Sequence, residues 1–149
     1  MIISVSLTEG IDKHLVEMLQ SVPLFSGLKD KQIKTVLGSG KQLRFDTGDQ
    51  IVKEGDSGVG FYLIVDGNVE VRRKGKLLSK LGSGDFFGEM SLLDKQPRSA
   101  DVVATTPVTC FGLTSWAFSG IVRSEPDIAV NLMQELAKRL RRTNKTLTE

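Results

Sequence analysis

At 149 residues the chain is most simply one domain, long enough to bury a hydrophobic core without disulfides or metals to staple it. A hydrophobic share of 40%, a charged share of 26% and a formal net charge of +2 describe an ordinary soluble globule and give no argument for nucleic acid, which needs several phosphates neutralised together. Cys110 is the one cysteine and His14 the one histidine, which excludes an internal disulfide, a His/Cys metal set and a Cys/His catalytic pair; a reduced, cytoplasmic setting is expected.

The opening MIISVSLTEG has no basic start and turns polar by Thr8, so it does not read as a signal peptide. No apolar run approaches the ~20 residues of a membrane span, and neither export nor membrane insertion is expected. Residues 8–20, TEGIDKHLVEMLQ, set Ile11, Leu15, Met18 and Leu19 on one helical face with Thr8 as N-cap, and KDKQIKTVL forms a second short helix after VPLFSGL. From Lys41 to Leu113 the character changes. FYLIVDG, NVEVRR, KLLSKL, SADVVAT and VTCFGL are short β-rich runs, punctuated by TGD, EGDSG, DGN, KGK and GSGD. Gly48, Gly55, Gly58, Gly67, Gly75 and Gly82 are expected to supply positive φ in these turns.

Turns about every ten residues favour an antiparallel jelly-roll β-barrel of about eight strands over βαβ units. Helix then returns in TSWAFSGIVRS and in EPDIAVNLMQELAKRLRRTNK, the latter starting at Glu125 or Pro126 with a stripe of Ile128, Leu132, Leu136 and Leu140 that needs something to cover. The expected fold is mainly β with flanking α-helices: an N-terminal helical segment over 1–40, a barrel over 41–113 and C-terminal helices over 114–149, the last of them a lid or dimer helix.

The chemistry concentrates in FFGEMSLLDKQPRSADV, residues 86–102, where an acid and an arginine enter apolar surroundings. An unpaired buried ion is costly, so each needs a partner. GSGDFFGE carries neither the dinucleotide fingerprint nor the NTP-binding P-loop. GEMSLL, in contrast, can make one helical turn whose free backbone N–H groups suit an anion. Glu89 needs a hydroxyl to accept from. Arg98 follows a proline and precedes the strand DVVAT, so its guanidinium can reach back across the helix start with a two-pronged phosphate grip. One phosphate and one ribose hydroxyl satisfy both charges; a Glu89–Arg98 ion pair closing the barrel without a ligand is the alternative.

FGEMSLLDKQPRSA resembles the phosphate-binding cassette of the cyclic nucleotide-binding domain family, with Phe87, Gly88, Glu89, Ser91, Leu92, Pro97, Arg98 and Ala100 in place. DTGDQIVKEGDSGVGFYLIVDGNVEV is similar to that family's early barrel strands, and PDIAVNLMQELAKRLRRTNK to its closing helix, above all in the catabolite activator and FNR group. The resemblance implies a ligand pocket around Gly88, Glu89, Met90, Ser91, Arg98 and Ser99. In it Glu89 accepts from the ribose 2′-OH, Arg98 pairs with an exocyclic oxygen of the cyclic phosphate, Ser99 adds a hydroxyl or N–H there, and Gly88 lets the backbone approach. For the base, it implies Thr143 and Asn144, or in channel-like relatives an arginine, here Arg139 or Arg142; cations that merely suit a helix C-terminus are the plain alternative.

The implied ligand is cAMP, with cGMP left open, and the implied role is a sensor or regulatory module that moves its C-terminal helix and pairs with a second copy through it. No catalytic residue, metal or further cofactor is expected. A cyclic-nucleotide-dependent transcription regulator needs a helix-turn-helix after the closing helix. The expectation is therefore a sensor domain, either stand-alone or a fragment of a longer protein, without sequence-specific nucleic-acid binding by this chain; the alternatives are a fragment or partner of such a regulator, or a degenerate domain that no longer binds. KRLRRTNK, five cations in eight residues, supports weak attraction to polyanions and no base readout.

Overall fold

The structure, a computed structural model, describes residues 3–6, 13–56 and 60–148, with side chains over 13–56 and 60–145. Among these residues the elements run β1 (Ile3–Ser6), α1 (Lys13–Gln20), a 3-10 turn (Pro23–Phe25), α2 (Asp30–Ser39), β2 (Lys41–Phe45), β3 (Gln50–Val52), β4 (Gly60–Asp66), β5 (Val69–Arg73), β6 (Lys76–Leu81), β7 (Phe86–Phe87), α3 (Ser91–Asp94), β8 (Asp101–Ala104), β9 (Val108–Thr114), α4 (Ser115–Ser124) and α5 (Pro126–Thr148). The strands form two antiparallel sheets, β1-β2-β9-β4-β7 and β3-β8-β5-β6. The architecture is the expected one, mainly β with flanking helices. β1 is an addition: it pairs with β2 from Ile3↔Arg44 to Ser6↔Lys41, ahead of the N-terminal helices.

Period-two alternation explains why the five-stranded sheet is covered on both faces. On β4 and β9, Phe61, Leu63, Phe111 and Leu113 join the helices in one core, where Phe25 meets Phe61 edge-on at a centroid distance of 5.5 Å. Their neighbours Ile64, Val108 and Cys110 turn the other way, to a second core between the sheets with Val69, Val102 and Ala104. Gly40, joining α2 to β2, has room for no side chain: a Cβ there meets the buried Phe111 ring and lies 2.7 Å from the Gly112 carbonyl oxygen.

α1 buries Leu15, Val16, Met18 and Leu19; the expected Thr8 cap and Ile11 lie outside the described residues. At α4, Thr114 Oγ1 accepts from the Ala117 N–H at 3.2 Å, an N-cap. α5 opens on Pro126, suited to a first helical turn, and buries Ile128 and Leu132. The expected stripe fades along it: Leu136 is half-buried and Leu140 is 61% exposed, because the helix outruns the core it covers.

Gly48, Gly55, Gly67 and Gly75 take positive φ as expected, and Gly58 is outside the described residues. Gly82 does not; in GSGD the left-handed residue is Gly84, while the Gly82 N–H donates to Asp85 Oδ2 at 2.8 Å.

Candidate functional site

Residues 88–100 carry the chain from β7, on the five-stranded sheet, to β8, on the four-stranded one. β7 is pinned to β4 by the pairs Tyr62↔Phe87 and Leu63↔Phe86. The next residue, Gly88, has φ +80°, and a Cβ there would collide with the Gly60 carbonyl and the Arg98 guanidinium. Only glycine fits both the dihedral and the space. The helical turn then starts later than GEMSLL suggests, at Ser91. The N–H groups of Ser91, Leu92 and Leu93 donate to the carbonyls of Gly88, Glu89 and Met90, so any anion donor at the start of this turn has to come from the residues ahead of Ser91.

Arg98 is 9% exposed, and its head is held from three directions. Nη2 donates to the Gly60 carbonyl at 2.7 Å, Nη1 donates to Ser91 Oγ at 3.1 Å, and the guanidinium carbon lies 5.7 Å over the Tyr62 ring. Tyr62 is in turn stacked on Phe87 at 5.0 Å. Burial lowers the Arg98 pKa from its ordinary value and Tyr62 opposes that shift; burial likewise raises Tyr62, opposed by Arg98. Arg98 remains a cation at neutral pH.

Glu89 does not pair with Arg98. Its Oε1 meets Arg139 Nη1 of α5 at 3.2 Å, the two side chains being 15% and 32% exposed, and the same Nη1 lies 3.3 Å from Met90 Sδ. Among the described residues, two buried side-chain polar atoms have no hydrogen-bond partner, Glu89 Oε2 and Arg98 Nε.

Both belong to residues lining one cleft of about 430 Å³, within the ~300–1,000 Å³ usual for small-molecule sites. Val52, Val71, Ala100 and Val102 give it apolar walls, and Gly88, Glu89, Met90, Ser91, Arg98 and Ser99 give it a polar end. The structure therefore brings six of the sequence-predicted residues into one cleft and adds Arg139 through its ion pair. Arg142, Thr143 and Asn144 are exposed on α5 and do not line the cleft; Thr143 Oγ1 donates to the Arg139 carbonyl of its own helix at 3.1 Å. Gly60 and Tyr62, which fix the guanidinium, were not anticipated. The one tyrosine of the chain, inside the apolar run FYLIVDG, was the available signal, since a buried tyrosine brings a polar edge to a core strand.

A cation and a carboxylate in one largely apolar cleft, each with an unused atom, suit a small ligand that carries an anion, a hydroxyl and a flat or apolar body. The family model for the cyclic nucleotide-binding domain matches residues 42–125, and the chain belongs to that family. It is 30% identical over 138 residues to the CRP-like cAMP-activated global transcriptional regulator of Mycobacterium tuberculosis, covering 89% of this chain and 62% of that one. It is 38% identical over 88 residues to the cGMP-dependent protein kinase of Plasmodium berghei, covering 59% of this chain and 10% of the kinase. The crystal structure of the N-terminal domain of a transcriptional regulator from Streptomyces coelicolor A3(2) superimposes with a TM-score of 0.81 at 31% identity, over 87% of this chain and 94% of that domain. The chain thus spans less than two thirds of the length of either named relative. Among the described residues no helix is long and apolar enough to cross a membrane, and no group of His, Cys, Asp and Glu could hold a metal ion.

Proposed function

We propose that this chain is a sensor module that binds a cyclic mononucleotide, cAMP ahead of cGMP, and reports it through α5. The observation that carries the reading is the pair of buried, partnerless atoms in one cleft, an acceptor on Glu89 and a donor on Arg98. Left without partners, such atoms cost about 1–3 kcal/mol each, more for charged groups, which a hydroxyl and a phosphate oxygen would recover.

Arg98 and Ser99 would hold the cyclic phosphate, Glu89 Oε2 the ribose 2′-OH, and Gly88 with Ser91 the backbone turn beside them. Met90 lines the cleft and Arg139 of α5 reaches its edge through Glu89 and Met90, which makes Arg139 the base-side candidate tied to the site; Arg142, Thr143 and Asn144 can reach a base only if the helix end moves. Pairing with a second copy is supported by Val130, Met133 and Leu140, exposed at 46%, 60% and 61%, which with exposed Ala137 repeat at three- and four-residue spacing, the seam of a two-stranded coiled coil. A non-binding domain has one observation in its favour, the Glu89–Arg139 pair that satisfies one carboxylate oxygen from within; it leaves Oε2 and Arg98 Nε unexplained.

Calorimetry with cAMP, cGMP and 5′-AMP tests the reading. The cleft should prefer a cyclic monoanion, because Glu89 repels the extra charge of 5′-AMP. Equal affinity for cAMP and 5′-AMP refutes the assignment.

A further inference from the structure

Between α3 and β8 the chain is not in a ladder over residues 98–100, yet these residues include the cleft arginine. The pairing of β8 with β5 runs from Val69↔Ala104 to Arg72↔Asp101 and stops there. It stops because β5 turns back into β6 at Lys74 and Gly75, whose φ of 51° and 80° are the two left-handed positions of a tight hairpin. One more step would set Arg73 opposite Ala100.

The Arg73 side chain fills that gap instead: its Nε donates to the Ser99 carbonyl at 2.8 Å. The opposite side of the segment is tied to the turn between β3 and β4, where the Arg98 N–H donates to the Asp56 carbonyl at 3.0 Å and the Gly55 N–H donates to the Arg98 carbonyl at 2.8 Å. The Glu54 N–H donates to Asp101 Oδ1 at 2.7 Å. Arg98 and Ser99 are thus stretched between two neighbours, and on the β5 side the anchor is one exposed arginine, Arg73, which forms no ion pair among the described residues.

We infer that Arg73 is a positioning residue for phosphate recognition: acting through Ser99, it anchors the Arg98–Ser99 segment, which lies beyond the end of the β5 ladder, in the irregular conformation from which both line the cleft. One more ladder step, Arg73 to Ala100, would impose alternating side chains there. The Arg73 side chain instead satisfies the Ser99 carbonyl without imposing that alternation. The inference rests on the cyclic-nucleotide reading for its phosphate.

The experiment combines a ligand-dependent and a ligand-independent measurement. Affinities of the wild-type chain, Arg73→Ala and Arg73→Lys are measured for cAMP and for its Sp and Rp phosphorothioates, which replace one exocyclic phosphate oxygen or the other. Amide hydrogen exchange at Arg98 is followed without ligand. Arg73→Ala should weaken cAMP about five- to tenfold, narrow the Sp-to-Rp preference and quicken Arg98 exchange, and Arg73→Lys should recover most of each. An unchanged Sp-to-Rp ratio in Arg73→Ala, with unchanged exchange at Arg98, overturns the inference. A wild-type chain that binds no cyclic nucleotide while Arg73→Ala still quickens exchange overturns the ligand reading and, with it, the phosphate role, leaving only a structural clamp.

Discussion

Replacing Glu89 by glutamine changes one oxygen for an NH₂ at almost constant volume, and the structure separates its consequences. The ion pair with Arg139 is one of them: Arg139 is about one-third exposed, so the contact is partly screened and its loss costs less than ~1 kcal/mol. The fold should survive. The other consequence falls on Oε2, the partnerless atom assigned to the ribose 2′-OH. A hydrogen bond to a charged acceptor contributes about 1.5–3 kcal/mol and one to a neutral acceptor about 0.5–1.5, a difference near 1 kcal/mol or about fivefold in affinity. Removing a negative charge beside an anionic ligand acts in the opposite direction, but equally on cAMP and on 2′-deoxy-cAMP. The ratio between those two ligands therefore isolates the hydroxyl. Calorimetry on the four combinations of protein and ligand, at one salt concentration, should show the ratio fall about fivefold in Glu89→Gln. If the substitution changes both affinities by the same factor, Glu89 does not serve the 2′-OH.

Arg98→Ala should reduce cAMP binding by at least about 100-fold and lower stability by about 1–3 kcal/mol, since it also leaves the Gly60 carbonyl without its donor; titration and urea unfolding measure the two, and retained binding refutes the phosphate role. Gly40→Ala should cost about 1–3 kcal/mol in urea unfolding through overpacking against Phe111, and a neutral result would mean that the α2–β2 junction yields. Burial pushes the Cys110 thiol from 9.0 up to about 12, so between those values the unfolded chain releases a proton that the folded chain keeps. The resulting stability is complete below about pH 9 and is lost as pH rises toward 12. Cys110→Ala should therefore flatten the decline in unfolding free energy from about pH 8.5 to about pH 10.5, and equal slopes would contradict the thiol's part. Saturating cAMP should raise hydrogen-exchange protection over residues 136–144 of α5; unchanged protection removes the reporting role of the helix and leaves the phosphate and ribose assignments intact.

The strands were legible because alternation and turn residues are local signals; β4 buries both faces along its unbroken run FYLIV, and β9 does so where Cys110 and Phe111 adjoin. The cassette was legible for the same reason: Gly88, Glu89, Pro97 and Arg98 act within one short crossover. What holds Arg98 was not. Its carbonyl partner Gly60 is 38 residues away, and the Arg73 that bonds its neighbour Ser99 is 26 residues from that serine, distances bridged only once the strand register is set. The turn GSGD shows the limit on a smaller scale, because spacing alone does not say which glycine is left-handed. The Asp85 carboxylate decides by capturing the Gly82 N–H. Leu140 continued the helical period faithfully and still lies in solvent, since period reports the face of a helix and not how far its partner extends.

Glu89 lies between the proposed ligand and α5, and magnitudes limit how far that link can move the helix. A ligand shifts α5 only by its differential affinity for the two helix positions, and the partly exposed Glu89–Arg139 contact supplies less than ~1 kcal/mol of it, a factor of about five. Freeing the whole helix is a different matter. Ile128 and Leu132, exposed at 0% and 3%, would each lose about 1.5–3 kcal/mol of burial, well beyond what that contact offsets. Past Leu136 no comparable burial resists movement among the described side chains, because Leu140 is already in solvent and residues 141–145 are exposed. The helix thus has a base fixed on the core and a far end that meets the cassette at Arg139. If ligand and helix share the Glu89 carboxylate as proposed, that contact would be strong enough to bias the far end and too weak to move the base, so the proposed response would be confined to the last turns of α5, where Arg142, Thr143 and Asn144 are carried.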